Sequence, residues 1–269
     1  MDGRGGAPPP RRRREPSLPE ETILETRSVT KRFDGFAAVS GVNYRLREGE
    51  SAGIIGPNGA GKTTFFNLLT GMFPPTEGTV LYRGADITRI PAHGRVLRGI
   101  VRTFQLVSVF DSLTVRENLV LALIRAGKER AASARFFLRD AWSGNLSDLS
   151  AGALGTVGLR EKAHWKTAEL SYGDKRKLEI ALALCLRPSV LLLDEPFAGL
   201  SDVEIVEVLE LIRKVRKEFT LVIIEHKISR IVDLVSRLSV MHEGKLIAEG
   251  GPAEVLADPL VRQVYWGRP

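Results

Sequence analysis

Residues 51–64 read SAGIIGPNGAGKTT, an apolar run that breaks into glycines and continues into a basic and hydroxyl-bearing stretch. The apolar residues at 51–55 predict a buried strand, and the pattern from Thr63 to Thr70 predicts a helix that Gly71 ends. Between them lies the spacing G-x-x-x-x-G-K-T, in the strand-turn-helix context that a phosphate-binding loop requires. The loop consists of Gly56, Pro57, Asn58, Gly59, Ala60, Gly61, Lys62, Thr63 and Thr64.

This loop has the chemistry to hold a nucleoside triphosphate. Its glycines let backbone N–H groups turn toward anionic oxygens, and the following helix adds the partial positive charge of its N-terminus. Lys62 can reach the β- and γ-phosphates, and the hydroxyl of Thr63 is a suitable ligand for Mg²⁺. We therefore expect residues 56–64 to bind a nucleoside triphosphate and Thr63 to contact the metal.

A second, acidic site follows the apolar run at 190–193. Asp194 and Glu195 come directly after this predicted strand, and adjacent residues at a strand end point to opposite faces. Asp194 can hold Mg²⁺ through water, whereas Glu195 can orient the attacking water and accept its proton. The pair predicts hydrolysis of the bound nucleotide, with Glu195 as a catalytic residue and Asp194 at the metal.

The chain has 269 residues, a net charge of +7 and one cysteine, Cys185. A single cysteine excludes a disulfide framework within the chain and a zinc site built on cysteines. The apolar runs are too short to cross a bilayer and none follows the basic N-terminus as in a secretory signal, so we expect a soluble, intracellular protein. The charge predicts an acidic partner: nucleic acid, an anionic membrane surface or a phosphate-rich ligand.

Strands alternate with helices along the chain, which predicts an α/β fold with a mostly parallel core sheet and helices on both faces. Residues 1–21 are rich in proline and arginine and predict a disordered tail, which leaves 22–269 for the folded part. The stretch from 92 to about 159 is mostly helical in pattern, so we expect a helical subdomain inserted at about 106–186. Further strands are predicted at 23–29, 42–47, 79–83, 220–224 and 237–241, and further helices at 174–186, 203–217 and 228–235.

Residues 170–174, LSYGD, resemble the signature of the ATP-binding-cassette (ABC) family and stand at the start of a predicted helix. The resemblance covers about 22–267 and implies a P-loop ATPase core with an N-terminal antiparallel β subdomain. It also implies that two cassettes pair head to tail, each signature closing on the γ-phosphate of the other. The signature residues expected to contact that nucleotide are Ser171, Tyr172, Gly173 and Asp174.

The resemblance assigns three further residues to the nucleotide. Gln105 matches the Q-loop, whose amide contacts Mg²⁺ and the attacking water. His226 matches the switch histidine that contacts the γ-phosphate, and Phe33 matches the aromatic residue that stacks on adenine. Two positions depart from the family pattern, because Asp174 stands where glutamine is usual and Ser201 stands where the D-loop has aspartate.

Within the family, residues 99–105, 113–119, 224–226 and 242–267 look like those of ATP-binding subunits of branched-chain amino-acid importers. This resemblance implies a peripheral ATPase at the cytoplasmic face of the membrane that uses ATP and Mg²⁺ and closes as a dimer. Its partners would be a second ABC subunit, a multi-span permease and, indirectly, an extracytoplasmic solute-binding protein, with no nucleic acid.

Three alternatives stay open within the same family. Urea and short-amide importers share much of the pattern. A soluble ABC ATPase of DNA repair or translation, and an export cassette for lipid or polysaccharide, use the same ATPase machinery with other partners.

Residues 83–139 carry eleven basic and four acidic side chains, so this segment accounts for the whole net charge. We expect the excess to lie on a surface that faces the permease and anionic headgroups, rather than in the tail or at the phosphate site. A solvated basic face is the alternative interpretation.

Overall fold

The structure is a computed structural model and describes residues 21–103, 108–126 and 144–267. Its strands are β1 (Thr22–Phe33), β2 (Phe36–Arg47), β3 (Ser51–Ile55), β4 (Glu77–Tyr82), β5 (Ala85–Asp86), β6 (Ile100–Arg102), β7 (Val190–Asp194), β8 (Thr220–Ile224), β9 (Arg237–His242) and β10 (Lys245–Gly250). Its helices are α1 (Lys62–Thr70), α2 (Ala92–Val96), α3 (Val115–Ala126), α4 (Gly144–Val157), α5 (Tyr172–Cys185), α6 (Asp202–Val215), α7 (Pro252–Ala257) and α8 (Pro259–Trp266).

The N-terminal strands form an antiparallel sheet in the order β2-β1-β4-β5. The turn between β1 and β2 is Asp34-Gly35, and both residues have positive φ, 45° and 88°, as the tight turns of two-residue hairpins require. The sheet shares a core with α1, which packs Phe65, Phe66 and Leu68 among buried residues of β1 and β2. The expected antiparallel β subdomain is therefore confirmed.

The core sheet has the order β10-β9-β3-β8-β7-β6. Its neighbours pair in parallel from β9 to β6, and β10 pairs antiparallel with β9. Every residue of β3, β7 and β8 is buried, which fits their nearly continuous apolar sequences and the cover that a parallel sheet needs on both faces. The expected mostly parallel sheet is confirmed.

A helical unit formed by α3, α4 and α5 lies in the chain between β6 and β7. Leu119, Leu154 and Leu178 belong to its buried apolar core, which continues into the core sheet. This agrees with an inserted helical subdomain, although its predicted ends near 106 and 186 stay predictions. The predicted tail lies outside the described residues except for Glu21, and within the described part no helix is long and apolar enough to cross a membrane.

Several parts of the secondary-structure prediction are wrong or incomplete. The helix predicted at 228–235 is one 3₁₀ turn, Ile228–Arg230, because Ile231 and Val235 pack over Gly53 of β3 while the Ser236 N–H donates to the Ser51 carbonyl. The edge strand β6 lies inside the segment predicted to be mostly helical. Strands β5 and β10 and helices α7 and α8 are absent from the prediction; the turn before β10 is Glu243-Gly244, and both residues have positive φ, as in a two-residue hairpin.

Candidate nucleotide-binding site

The phosphate loop lies between β3 and α1 and packs closely against β9 and β2. A Cβ at Gly56 would lie 2.3 Å from the carbonyl oxygen of Met241 in β9, and one at Gly61 would lie 2.3 Å from that of Ala38 in β2. Gly61 also has a φ of 98°, a left-handed conformation that favours glycine. Packing therefore requires glycine at both positions, in addition to the close approach of backbone to phosphate that the motif predicts.

The side chain of Lys62 lies across this loop and is largely buried. Its Nζ donates hydrogen bonds to the carbonyl oxygens of Gly56 at 2.7 Å and Pro57 at 3.0 Å. Burial lowers the pKa of Lys62, whereas the negative charges of Glu195 and Asp194 act in the opposite direction. The ammonium group is thus held at the loop, where the negative charges of Glu195 and Asp194 act on it.

The other loop residues differ in exposure. Asn58 and Gly59 are exposed at the rim, whereas Ala60 is buried. Thr63 is exposed and Thr64 is half-buried in the first turn of α1. Thr63 is therefore accessible at the helix N-terminus, which favours the binding of an anion.

Asp194 ends β7 and forms a buried ion pair with Arg102, the last residue of β6. The Arg102 Nη2 lies 2.5 Å from the Asp194 Oδ2, and the two side chains are 8% and 2% exposed. The other terminal nitrogen of Arg102 donates to the Asn67 Oδ1 on α1, also at 2.5 Å. One guanidinium thus joins the acidic strand to the helix of the phosphate loop, a role that the sequence analysis missed because no local motif marks it.

Glu195 follows Asp194 with a φ of 44°, a left-handed conformation that is uncommon in residues other than glycine. Such a conformation persists only where the surrounding structure imposes it, and it occurs often at functional sites. The Glu195 N–H donates to the carbonyl of Ile224 at 3.0 Å, which fixes the end of β7 to the end of β8. The backbone therefore holds Glu195 in a defined position beside the loop.

His226 follows β8, and its side chain is 41% exposed. The residue before it, Glu225, is fully buried, and its Oε2 lies 3.7 Å from the His226 Nδ1. Burial raises the pKa of Glu225, and the nearby charge of His226 opposes this effect. A buried carboxylate thus lies directly beneath the histidine, and the sequence analysis did not assign it a role.

The acidic pair, the lysine and the histidine meet at one edge of the core sheet, because β3, β8 and β7 are neighbours and run in parallel. The residues present fit a magnesium nucleotide: Thr63 and Asp194 supply oxygen atoms, and Lys62 supplies the cation. Within the described residues, no group of three or more His, Cys, Asp or Glu side chains could hold a metal ion alone.

Of the other predicted site residues, Phe33 lies apart from this edge of the core sheet, and Gln105 lies outside the described residues. Phe33 ends β1 and is 44% exposed, so it is not a core residue. Its ring packs edge-to-face on Phe73 with centroids 5.6 Å apart, and the Lys31 Nζ lies 5.3 Å from it. An exposed, supported ring of this kind can stack on a base. Gln105 falls outside the described residues, so its predicted catalytic and metal contacts stay predictions.

The signature residues begin α5 in the helical subdomain. Ser171 is the N-cap, and its Oγ accepts a hydrogen bond from the Asp174 N–H at 3.1 Å. Burial would raise the pKa of Asp174, but hydrogen bonds from Lys162 and Lys177 hold it below its ordinary value. Aspartate at this position is therefore engaged in ion pairs within its own chain.

The remaining two signature residues contact the first turn of α6 and the segment that precedes it. The Gly173 N–H donates to the Glu204 Oε1 at 2.8 Å, and the Tyr172 ring lies against Gly199. Ser201 is the N-cap of α6 in a capping box with Glu204. Serine, which stands where the family pattern has aspartate, therefore caps this helix within its own chain.

The arginines of 83–139 do not all lie on an outward docking face, and that expectation is wrong for two of them. Arg95 is fully buried and donates to carbonyls at the end of α1, including those of Leu68 and Leu69. Arg102 lies at Asp194, inside the nucleotide site. The side chains from 125 to 139 are outside the described part of the chain.

An apolar groove lies between β6, α3 and α5. It has a volume of about 460 Å³ and is lined mainly by hydrophobic atoms. Its lining includes Val101, Phe110, Leu121, Leu182 and Leu186, and Phe110 is 62% exposed. Because Val101 and Arg102 belong to the same strand, the groove begins directly beside the residue that holds Asp194.

The chain was compared with protein families and curated proteins. Residues 39–198 match the model of the ABC transporter family. The chain is 38% identical to the high-affinity branched-chain amino acid transport ATP-binding proteins BraF of Pseudomonas aeruginosa and LivG of Escherichia coli K12. These alignments cover 91% and 92% of the chain and 98% of each relative. It is 33% identical to the lipopolysaccharide export system ATP-binding protein LptB of Acidithiobacillus ferridurans, over 91% of the chain and 97% of that protein.

Solved structures agree with this assignment. A nucleotide-free ATP-binding cassette from an ABC transporter superposes with a TM-score of 0.78 at 32% identity, covering 92% of this chain and all of that one. A dimeric, post-hydrolysis cassette bound to ADP and Pi superposes with a TM-score of 0.71 at 25% identity, covering 86% and 99%. Together with the phosphate loop and the acidic strand end, these matches show that the chain belongs to the ABC transporter family and is a nucleotide-binding ATPase whose hydrolysis is coupled to transport.

Proposed function

We propose that this chain is an ATP-hydrolysing subunit of an importer for branched-chain amino acids. The observation that carries this proposal is its 38% identity, over nearly the full length of each protein, to two ATP-binding subunits named for that transport. The match to the lipopolysaccharide export subunit has similar coverage but 33% identity, which favours import over export.

ATP binds through residues 56–64, with its phosphates at the loop and its adenine on Phe33. Lys62 leaves its loop carbonyls for the β- and γ-phosphates, because charged phosphate oxygens are stronger acceptors than neutral carbonyls. Thr63, Asp194 and the amide of Gln105 would hold Mg²⁺, which would supply positive charge to offset that of the phosphates.

Hydrolysis depends on residues at the ends of β7 and β8. Glu195 orients the attacking water and takes its proton, and its left-handed backbone is held at the end of β7 by the hydrogen bond from its N–H to the Ile224 carbonyl. His226 contacts the γ-phosphate from the neighbouring strand end. Arg102 holds Asp194 at the end of β7 through the ion pair between its Nη2 and the Asp194 Oδ2.

The working unit is a dimer of cassettes, made with a second copy or a related chain. Ser171 and Gly173 meet the γ-phosphate bound to the partner, so ATP favours the closed state in which both surfaces contact it. A dimeric solved relative supports this arrangement. After hydrolysis the shared contact is lost and the dimer opens.

The apolar groove beside β6 is the proposed docking site for a multi-span permease at the cytoplasmic face of the membrane. A permease segment with an apolar face would fill the groove, and movement of β6 would reach Asp194 through Arg102. The extracytoplasmic solute-binding protein acts through that permease and does not touch this chain.

The proposal is tested first on the ATPase alone. Glu195→Gln should still bind ATP but accumulate as a closed dimer, because the base is lost while the phosphate contacts remain. ATP turnover and sedimentation with ATP measure the two effects. Turnover near that of the wild type would contradict the role of Glu195.

The substrate is tested with the permease that co-purifies with the chain. Reconstituted with its solute-binding protein, the complex should hydrolyse ATP faster when leucine, isoleucine or valine is added. Stimulation by urea or short amides instead would assign the chain to that importer class, and no co-purifying permease would contradict a transport role.

A further inference from the structure

The backbone N–H of Gly173 is bonded to a carboxylate of its own chain. Glu204 of α6 accepts this hydrogen bond through Oε1 at 2.8 Å. The carboxylate lies so close that a Cβ at Gly173 would be 2.5 Å from the same oxygen. An anionic group therefore already lies at the start of α5, where the helix N-terminus favours negative charge.

The other oxygen of Glu204 is held separately. Ser201 donates to Oε2 twice, from its N–H at 3.0 Å and from its Oγ at 2.8 Å. Hydrogen bonds from Ser201, from the Gly173 N–H and from the Ser171 hydroxyl lower the pKa of Glu204, so the side chain is ionised at neutral pH. Rotation of the carboxylate away from Gly173 can thus break the Oε1 bond while the Ser201 cap remains.

Under the proposed function, Gly173 and Ser171 must receive the γ-phosphate of ATP bound to the partner cassette. Two anions cannot share one N–H donor without repelling each other, and the Ser171 hydroxyl also has a single proton to donate. We propose that Glu204 competes with that γ-phosphate for the signature, so that the dimer closes only when this carboxylate moves off Gly173. This inference rests on the proposed function, because it assumes that the signature binds the partner's nucleotide.

A second contact links the same two segments. The Tyr172 ring packs on Gly199, where an added Cβ would lie 3.0 Å from the Tyr172 Cε1. The signature is thus joined to residues 199–204 at two points, the apolar contact of Tyr172 with Gly199 and the hydrogen bond from Gly173 to Glu204. Displacement of Glu204 by phosphate would break the hydrogen bond and leave the apolar contact in place.

The test uses the full chain with Glu195→Gln, in which the ATP-bound dimer should accumulate. Glu204→Gln keeps the size of the side chain and can keep a hydrogen bond from Ser201, but it removes the competing charge. At saturating ATP, we expect the dimer dissociation constant from sedimentation to fall roughly tenfold. The affinity of the monomer for ATP, measured separately by nucleotide fluorescence, should not change, because Glu204 does not contact residues 56–64.

The matched control is Glu210→Gln on the same helix, where the carboxylate pairs with Arg213 at the surface. It should leave the dimer dissociation constant unchanged. Glu204→Ala is a second test variant, because it removes both carboxylate oxygens. It should also lower the dimer dissociation constant. Unchanged or weaker dimers in both Glu204 variants would overturn the proposal and make Glu204 a brace that supports the signature.

Failure of the proposed function gives a different result. If the Glu195→Gln chain binds ATP but stays monomeric at all protein concentrations, the signature does not bind a partner's nucleotide, and both proposals are overturned. If this chain dimerises and the Glu204 variants behave like the control, only the role of Glu204 is refuted.

Discussion

Arg102 and Asp194 form an ion pair that is almost completely removed from solvent, with the Arg102 Nη2 2.5 Å from the Asp194 Oδ2. The same guanidinium contacts Asn67 and lies over the Phe66 ring, 5.6 Å from its centroid. Arg102 therefore joins β6 to both α1 and β7, at the carboxyl end of β7 where Asp194 lies.

Replacement of Arg102 by methionine should destabilise the protein strongly. It leaves Asp194 buried without its cation, and loss of one partner from a buried pair costs about 3 to 5 kcal/mol. Denaturant unfolding measures the effect, and Arg98→Met is the control because that guanidinium is exposed and donates to the Gly94 carbonyl. Equal stability of the two variants would contradict the structural role of the pair.

Replacement of Arg95 by methionine should also destabilise the fold, for a different reason. Arg95 is buried without a carboxylate partner in the described contacts, and it donates to the backbone carbonyls of five residues. Buried carbonyls left without donors cost about 1 to 3 kcal/mol each, so we expect a loss of at least about 2 kcal/mol. Arg89→Met, at an exposed position, should change the unfolding free energy by less than about 0.5 kcal/mol.

Gly61→Ala should abolish ATP binding and lower stability. The new Cβ would lie 2.3 Å from the Ala38 carbonyl oxygen in a left-handed backbone, so the loop must move. Gly84→Ala separates the two effects, because Gly84 has φ 77° but open space around it. That control should cost about 1 kcal/mol and leave ATP binding intact. Normal ATP affinity in Gly61→Ala would show that the contact with β2 does not shape the loop.

The stability of the protein should depend on the ionisation of Glu225. Burial raises the pKa of this carboxyl above its ordinary value of 4.5, against the opposing charges of His226 and Arg230. Its contribution to stability is fully present below pH 4.5 and is lost as the pH rises through the folded pKa. Glu225→Gln should therefore gain stability relative to the wild type as the pH rises above 4.5.

Urea unfolding at a series of pH values measures this difference. Glu243→Gln is the control, since the Glu243 side chain is 85% exposed. A difference between Glu225→Gln and the wild type that stays constant with pH would contradict the prediction.

The parts of the site that could be predicted from the sequence are those formed by short runs of consecutive residues. The phosphate loop and the Asp194-Glu195 pair are local motifs, and the parallel order of their strands brings them together at one sheet edge. The geometry of each motif depends on interactions among residues close together in the chain. The fold class and these site residues can therefore be predicted from the sequence alone.

The contacts that were missed join residues far apart in the chain. Arg102 and Asp194 are 92 residues apart, and Gly173 and Glu204 are 31 apart. Net charge counted along a segment cannot reveal that one arginine is buried at Asp194 while another is buried under α1. The helix predicted at 228–235 failed similarly, since its apolar spacing serves packing on Gly53 and not a helical face.

Arg95 has a consequence for the electrostatics of α1. The peptide dipoles of a helix add up to a partial negative charge at its last carbonyls and a partial positive charge at its first N–H groups. Arg95 donates to the Leu68 and Leu69 carbonyls, so a permanent cation already compensates the negative pole. The opposite pole faces the phosphate loop, so the incoming triphosphate is the counter-ion that balances the other half of the macrodipole.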